Sequence, residues 1–315
     1  MNTIPSSSQP VHIGIDVAKD SLQVDLAGKS THFANTAGGH RLLATALPSA
    51  AFVVMEATGS YHLALLRFLQ QSGIPAAVVN PARAKSFAKA RGTLAKTDPV
   101  DAAMLSDFGR AFQPPATSPR EPQHESLGEL SSVRTAVLSE ITLWRNLLEH
   151  QQSKEARCHS RARLRQAAAS LAKVDRQIAA LMEQSPEIAP VASVLRECKG
   201  VGIVTATILV TQMPELGKIN RREAASLAGL APYARDSGKS EGKRMTRAGR
   251  PRVKQALYLA SLSAVRYHPA LKDSYKELRA KGKPAKVALV AIARRLLVIL
   301  NAKLKEHYAK AAMST

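Results

Sequence analysis

The stretch VHIGIDVAKDSLQVDLAGKSTHFAN, residues 11–35, decides the architecture of the first third of the chain. Val11–Asp16 reads as an apolar strand. Ser21–Ala27 alternates Leu22, Val24 and Leu26 with polar partners, the period of a half-buried strand. Thr31–Asn35 reads as a third strand, joined to the second through a turn at Gly28-Lys29. Outward from these, the spacing predicts a short helix at His40–Leu47, a buried strand at Phe52–Glu56 and a helix at Tyr61–Gln71. A short apolar strand at Ala76–Val79 comes next. Pro81 opens a basic helical segment, and Asp98-Pro99 opens a further helix that runs through Phe112.

Three adjacent strands, then helix, strand, helix, strand and helix, is the order of an α/β, RNase H-like fold. In that fold carboxylates gather from the first strand, the fourth strand and a late helix. The acidic residues fall on those elements: Asp16 in HIGIDVAKD, Glu56 in VVMEATGS, and Asp98 with Asp101 in KTDPVDAAM. Asp16 sits on a strand, where a carboxylate is disfavoured. Asp98 and Asp101, three apart on a helix, can face the same way. The same pair also reads as an ordinary helix start, with Asp98 at the N-cap, Pro99 at N1 and Asp101 at N3 near the positive end of the dipole. Asp20, Asp25 and Asp107 read as surface residues. Carboxylates gathered in a basic protein repel one another unless a divalent cation lies between them, and two such ions can activate an attacking oxygen and neutralise a leaving one.

The chain of 315 residues carries a formal net charge of +21 and a pI near 10.3, which favours phosphate-rich partners. Residues 1–115 hold 10 Lys/Arg against 7 Asp/Glu, whereas residues 116–315 hold 35 against 17, so the grip on a polyanion lies mostly downstream of the acidic set. Aromatics make up 4%, too few for base stacking to be the main binding device. Cys158 and Cys198 show neither metal-ligand spacing nor a disulfide framework. The leader MNTIPSSSQP has no charged or apolar signal region, and the apolar run VALVAIARRLLVIL is broken by Arg294 and Arg295, so no membrane partner and a cytoplasmic location are expected.

The Pro-rich stretch QPPATSPREP at 113–122 separates a domain at 1–115 from the remainder of the chain. A linker and two long helices occupy 116–186. In the second of these helices Leu164, Ala167, Leu171, Val174, Ile178 and Leu181 step as a heptad seam, which suits either a coiled-coil arm or a two-helix element packed within its own chain. A mainly α domain occupies 187–315. It begins with VLRECKGVGIVTATILV, which resembles a helix-hairpin-helix. There Gly200 and Gly202 would let backbone amides approach a phosphate, although a tight turn between helices reads equally. The stretch LAGLAPYARDSGKSEGKRMTRAGRPRVKQALYLASL comes after it, a loop or short hairpin entering a helix near Arg252. Its Arg235, Lys239, Lys243, Arg244, Arg247, Arg250 and Arg252 are candidate nucleic-acid contacts. Ser237 and Ser240 are either phosphate-contacting hydroxyls or a nucleophile. A long helix from Pro284 to Tyr308 reads as core.

Together GIDVAKD, MEATGSYH and KTDPVDA resemble the three acidic blocks of the DEDD transposases, the insertion-sequence one-ten family. LAGLAPYARDSGKSEGKR with RAGRPRVKQALYLA is similar to that family's C-terminal block. The resemblance spans nearly the whole chain in block order. It implies a RuvC-like catalytic domain, a coiled-coil segment and a small C-terminal transposase domain. The family's four acidic ligands fall on Asp16, Glu56, Asp98 and Asp101, where Mg²⁺ or Mn²⁺ would bind, and its nucleophilic serine falls on Ser237. The resemblance further implies donor and target DNA as partners, a covalent phosphoserine link, a structured guide RNA, and a dimer or tetramer of chains.

Three other readings compete. A Holliday-junction-resolvase-like endonuclease would use the same carboxylates with water as nucleophile. A binding protein would carry a dead RNase H-like domain, against which the presence of all four carboxylates argues. An actin-like ATPase would want a second glycine-rich phosphate loop, which the sequence lacks.

Overall fold

The computed structural model describes residues 10–57, 59–92, 97–119, 121–233 and 245–313. The chain divides into two compact units, 1–119 and 120–315.

The first unit is a mixed sheet covered on both faces. β1 (Val11–Val17), β2 (Ser21–Leu26) and β3 (Lys29–Ala34) form an antiparallel meander; α1 (Ala37–Ala46) leads into β4 (Ala51–Glu56), α2 (His62–Gln71), β5 (Ala76–Val79), α3 (Pro81–Ala90) and α4 (Asp98–Phe112). The sheet order is β3-β2-β1-β4-β5, with β4 and β5 parallel to β1. The β2–β3 turn lies one residue earlier than the sequence suggests. Leu26 pairs with Lys29, and the loop is Ala27-Gly28, both at positive φ, as a tight hairpin with strand-like twist requires. Asp25, expected on the surface, is 5% exposed, and its carboxylate accepts the Gly28 amide at 2.9 Å, which fixes this turn.

Strand alternation divides the core in two. Ile13, Ile15, Val17, Val53 and Met55 pack with Leu43 of α1 and Leu65 and Leu69 of α2. On the opposite face Val54 and Val79 pack with Ala84 of α3 and Met104, Leu105 and Phe108 of α4. The unit extends past residue 115 because Thr117 joins the edge of β5. Its amide donates to the Ala76 carbonyl at 2.7 Å, and its hydroxyl accepts from Val78 N–H at 2.9 Å.

The second unit is mostly helical. α5 (Pro122–His150) and α6 (Lys154–Gln184) form a long hairpin, followed by α7 (Ile188–Arg196), α8 (Ile203–Gln212) and α9 (Arg221–Leu227). A two-stranded stem, β6 (Pro232–Tyr233) with β7 (Met245–Thr246), precedes α10 (Pro251–Tyr267), α11 (Pro269–Ala280) and α12 (Ala285–Met313). The heptad seam of α6 is spent inside the chain: Leu164, Ala167 and Leu171 meet Val137 and Ile141 of α5, while Val174, Ile178 and Met182 join the main core with Leu127. Ion pairs Arg134–Asp175 (2.7 Å) and Arg163–Glu140 (2.6 Å) bridge the two helices. α12 runs through the centre of this unit, with Ile292, Leu296, Leu297 and Leu300 fully buried. Among the described residues no helix is long and apolar enough to cross a membrane.

Candidate functional site

Two glycines let α4 lie against the sheet. A Cβ on Gly14 would stand 2.0 Å from the Ala102 carbonyl oxygen and 2.4 Å from the Ser106 nitrogen. The bare backbone allows the Gly14 amide to donate to the Ser106 hydroxyl at 2.7 Å, in the buried interior. One helix end further along, a Cβ on Gly109 would meet His12 and Val54 at 2.8 Å. Helix α4 therefore runs opposite to β1, and its first turn, which carries Asp98 and Asp101, is directed toward the C-terminal end of that strand.

Asp16 stands at that strand end. The register Ile15↔Met55 makes Asp16 and Glu56 the next residues on two adjacent parallel strands, and by alternation both lie on the α4 face. The electrostatics agree. The Asp16 carboxyl is pushed above its ordinary range, chiefly by desolvation and then by the negative charges of Asp101, Asp98 and Glu56; a hydrogen bond from the Val17 backbone opposes the shift. The fold thus brings the other three acidic residues within electrostatic reach of Asp16. It does not draw them into a finished cage: among the described residues no three His, Cys, Asp or Glu side chains converge closely enough to hold one ion. The proximity set by strand register and helix crossing carries more weight than the direction of any one carboxylate, because the former depends on buried backbone and the latter on rotation about χ angles.

The helix-start reading of KTDPVDA is corrected. Thr97 is the N-cap, since its carbonyl accepts the Asp101 amide at 2.9 Å, so Asp98 opens the helix rather than capping it. Local capping therefore does not account for Asp98.

Asn35 was not legible as a functional residue. Its side-chain amide donates to the carbonyls of Ala18 (2.8 Å), Lys19 (3.4 Å) and Tyr61 (3.3 Å), and its side-chain oxygen lies 2.8 Å from His40 Nε2. It ties the segment after Asp16 to the segment after Glu56. An Asn at the end of a strand, ahead of a Thr N-cap, is the single sequence signal for it. Burial lowers the His40 pKa, which favours the neutral ring with its Nε2–H donating to Asn35. Asp107, by contrast, is ion-paired with Arg91 and Arg110.

In the second unit, Arg235, Ser237, Lys239, Ser240, Lys243 and Arg244 lie outside the described residues. The strands that flank them in sequence pair as a short stem. Pro232 pairs with Thr246 and Tyr233 with Met245. At its base Gly229 (φ 67°) and Gly249 (φ 75°) stand back to back, where a Cβ on Gly249 would meet the Gly229 nitrogen at 2.1 Å. Lys254 Nζ donates to the Thr246 hydroxyl at 2.9 Å.

Arg250 has a different role from the one its setting in a basic run suggests. Its guanidinium grips both oxygens of Glu215 at 2.6 and 2.8 Å and donates to the Gln212 carbonyl at 2.6 Å, so its fork is committed inside the fold. Arg247 is exposed, and Arg252 in the first turn of α10 donates to the Ser132 hydroxyl at 3.2 Å. Gly200 takes φ 107°, and a Cβ there would meet Ala264 of α10 at 2.8 Å, so its bareness is explained by packing. Gly202 has open space at its Cβ position and is the N-cap of α8.

With this geometry in view, two family models match in order along the chain. Residues 13–153 match one described as a transposase of the DEDD, IS110 type, and residues 192–276 match the transposase IS116/IS110/IS902 family. The chain belongs to the IS110 family of transposases. It is 27% identical to the "Pilin gene-inverting protein" of Moraxella bovis, over 94% of this chain and 96% of that one, and likewise to that of Moraxella lacunata. It is 33% identical to an "Insertion element IS110 uncharacterized 43.6 kDa protein" of Streptomyces coelicolor, over 42% of this chain and 32% of that protein. The first matched segment contains all four carboxylates, and the second contains the β6–β7 stem and Ser237. Membership makes the transposase a DNA recombinase with DNA as its substrate.

Proposed function

We propose that the first unit is an RNase H-like (RuvC-like) domain whose Asp16, Glu56, Asp98 and Asp101 hold divalent cations, and that Ser237 attacks DNA. One observation carries this reading: the register of β1 on β4, with α4 seated at Gly14, sends four carboxylates to one end of the sheet and lifts the Asp16 pKa. An all-oxygen anionic donor set suits Mg²⁺ or Mn²⁺. Such an ion, when bound, would neutralise charge on a phosphate oxygen and relieve the repulsion at Asp16.

In the reaction, the Ser237 hydroxyl oxygen attacks the phosphorus of a DNA phosphodiester. A P–Oγ bond forms, the P–O3′ bond breaks, and the serine proton ends on the departing 3′ oxygen. The 3′-hydroxyl of an exchanged strand then attacks the phosphoserine, restoring a diester and returning the proton to serine. Each step exchanges one phosphoester for another, so no nucleotide cofactor is consumed. Gly202, Arg247 and Arg252 remain phosphate contacts in this scheme, with Arg235, Lys239, Lys243 and Arg244 from the loop. Gly200 and Arg250 serve packing. A structured guide RNA, assembly of two or four chains, and three working parts at 1–115, 116–186 and 187–315 complete the proposal.

The relatives' printed name adds one outcome for the same chemistry: strand exchange between two sites on one molecule inverts the DNA between them. The test is a recombination assay on paired donor and target DNA, with and without the RNA transcribed beside this gene. A protein–DNA adduct that disappears in Ser237→Ala supports the scheme. Recombination that persists in Ser237→Ala points to water as nucleophile, and an adduct lost only in Ser240→Ala moves the nucleophile.

A further inference from the structure

Beside the β6–β7 stem the second unit holds a cavity of about 1470 Å³ between α9, α11 and α12. That exceeds the roughly 300–1,000 Å³ of ordinary small-molecule sites, so it fits a segment of polymer better than a metabolite. Among the described residues five cationic side chains line it: Arg221 and Arg222 at the start of α9, Lys283 in the turn before α12, and Arg294 and Arg295 on α12. Among the described residues no Asp or Glu lines it, and none of the five pairs with a carboxylate. Cations gathered without a counter-charge repel one another, and the arrangement is relieved by an anion that spans the cavity. Between them lies an apolar floor that includes Leu271, Val287, Val290 and Val298. Among the described residues no aromatic side chain lines the cavity, so they offer no platform on which bases could stack.

We propose that this groove holds the sugar-phosphate backbone of one DNA strand without reading its bases. The five cations take successive phosphates, and the apolar floor takes sugar faces. Commitment to DNA rests on the reading of Ser237 as nucleophile, because Pro232 and Thr246, a cross-strand pair that flanks Ser237 in sequence, form part of the groove wall. The strand in the groove is then the one delivered to Ser237. Arg294 and Arg295, which interrupt the apolar run 287–300 of α12, gain a reason for their place.

The experiment measures binding of the full chain to a fluorescein-labelled single-stranded DNA of mixed sequence, and to the RNA of the same sequence, across a salt series. Two double variants are compared, Arg294→Glu with Arg295→Glu, and Arg221→Glu with Arg222→Glu. The second places acids in the first turn of a helix, where the dipole favours them, and keeps the test usable should the first fail to fold. Lys305→Glu, an exposed cation of α12 outside the groove, is the control. Each double variant is expected to bind DNA about tenfold more weakly near 0.1 M salt and to lower the log–log salt slope by about 1.4, the value for two lost single-strand phosphate contacts. Double variants that bind DNA like Lys305→Glu, with an unchanged slope, overturn the proposal. So does a loss confined to RNA. If the wild type forms no serine adduct but the double variants still lose DNA, the groove stands and the Ser237 reading falls.

Discussion

The two ends of the proposed chemistry are built by opposite means. At the carboxylate end, the side chains stand on long strands and a long helix, and their placement follows from buried backbone: Gly14 under Ala102, Ser106 on the Gly14 amide, Gly109 over His12. At the serine end, the strands that flank residues 234–244 in sequence form a stem of two residue pairs, braced by Gly229 against Gly249 and by Arg250 on Glu215. A set of metal ligands must be held in fixed relation, whereas a nucleophile that changes strands needs an anchored base and a reach. At both ends close backbone contacts at glycine fix the frame, and at the stem the Arg250–Glu215 pair adds to it.

The largest effect that would break the comparison is at Gly14. Gly14→Ala drives a methyl into the Ala102 carbonyl, so unfolding in urea is expected to show a loss of about 3 kcal/mol or more, together with loss of recombination. Gly249→Ala, which combines positive φ with a backbone clash, is expected to cost about 2 kcal/mol and to leave divalent-ion binding unchanged. If it weakened ion binding instead, the two ends would not be separable.

Arg250 and Arg247 sharpen the contrast between anchor and contact. Arg250→Ala should lower stability by about 1 kcal/mol, a modest figure because the pair with Glu215 is about a third exposed, while leaving the salt dependence of DNA binding in place. Arg247→Ala should do the reverse: an unaltered melting temperature and a salt slope smaller by about 1. Asn35→Ala removes the tie between the two carboxylate-bearing segments. It should cost about 1 kcal/mol and weaken Mn²⁺ binding, whereas a merely structural Asn would leave ion affinity as it was.

The smallest effect concerns Asp16 and pH. Its folded-state pKa lies above the unfolded value of about 3.9, so between the two the folded chain keeps a proton that the unfolded chain has lost. Stability from this group is complete below that unfolded value and is lost as pH rises through the folded one. Without divalent ions, Asp16→Asn should therefore flatten the fall in melting temperature over that window and be the more stable protein at neutral pH, though inactive.

Much of the first unit was legible because its residues obey simple periods. The alternation of Leu22, Val24 and Leu26 marks a strand, and Asp98–Phe112 emerged as one helix with the expected bounds. What was not legible depended on distant partners. Asp25 looks like a surface acid until the Gly28 amide is seen beside it. Arg250 looks like its basic neighbours until Glu215, thirty-five residues away, takes its fork. Gly200 suggested an approach to phosphate, and only the packing of α10 shows Ala264 against it. The short α9 and the amphipathic α11, with Leu271 its one buried apolar side chain, carry too weak a periodicity to be read alone. For the candidate site, the sequence pointed to four carboxylates, but it could not reveal that Gly14 and Ser106 seat the helix that carries two of them.

Titration of the full chain with Mn²⁺, followed by electron paramagnetic resonance, tests the central claim most directly. The account predicts binding by the wild type and a loss of about tenfold or more in each of Asp16→Asn, Glu56→Gln, Asp98→Asn and Asp101→Asn. Affinity that is the same in all four variants as in the wild type would contradict it.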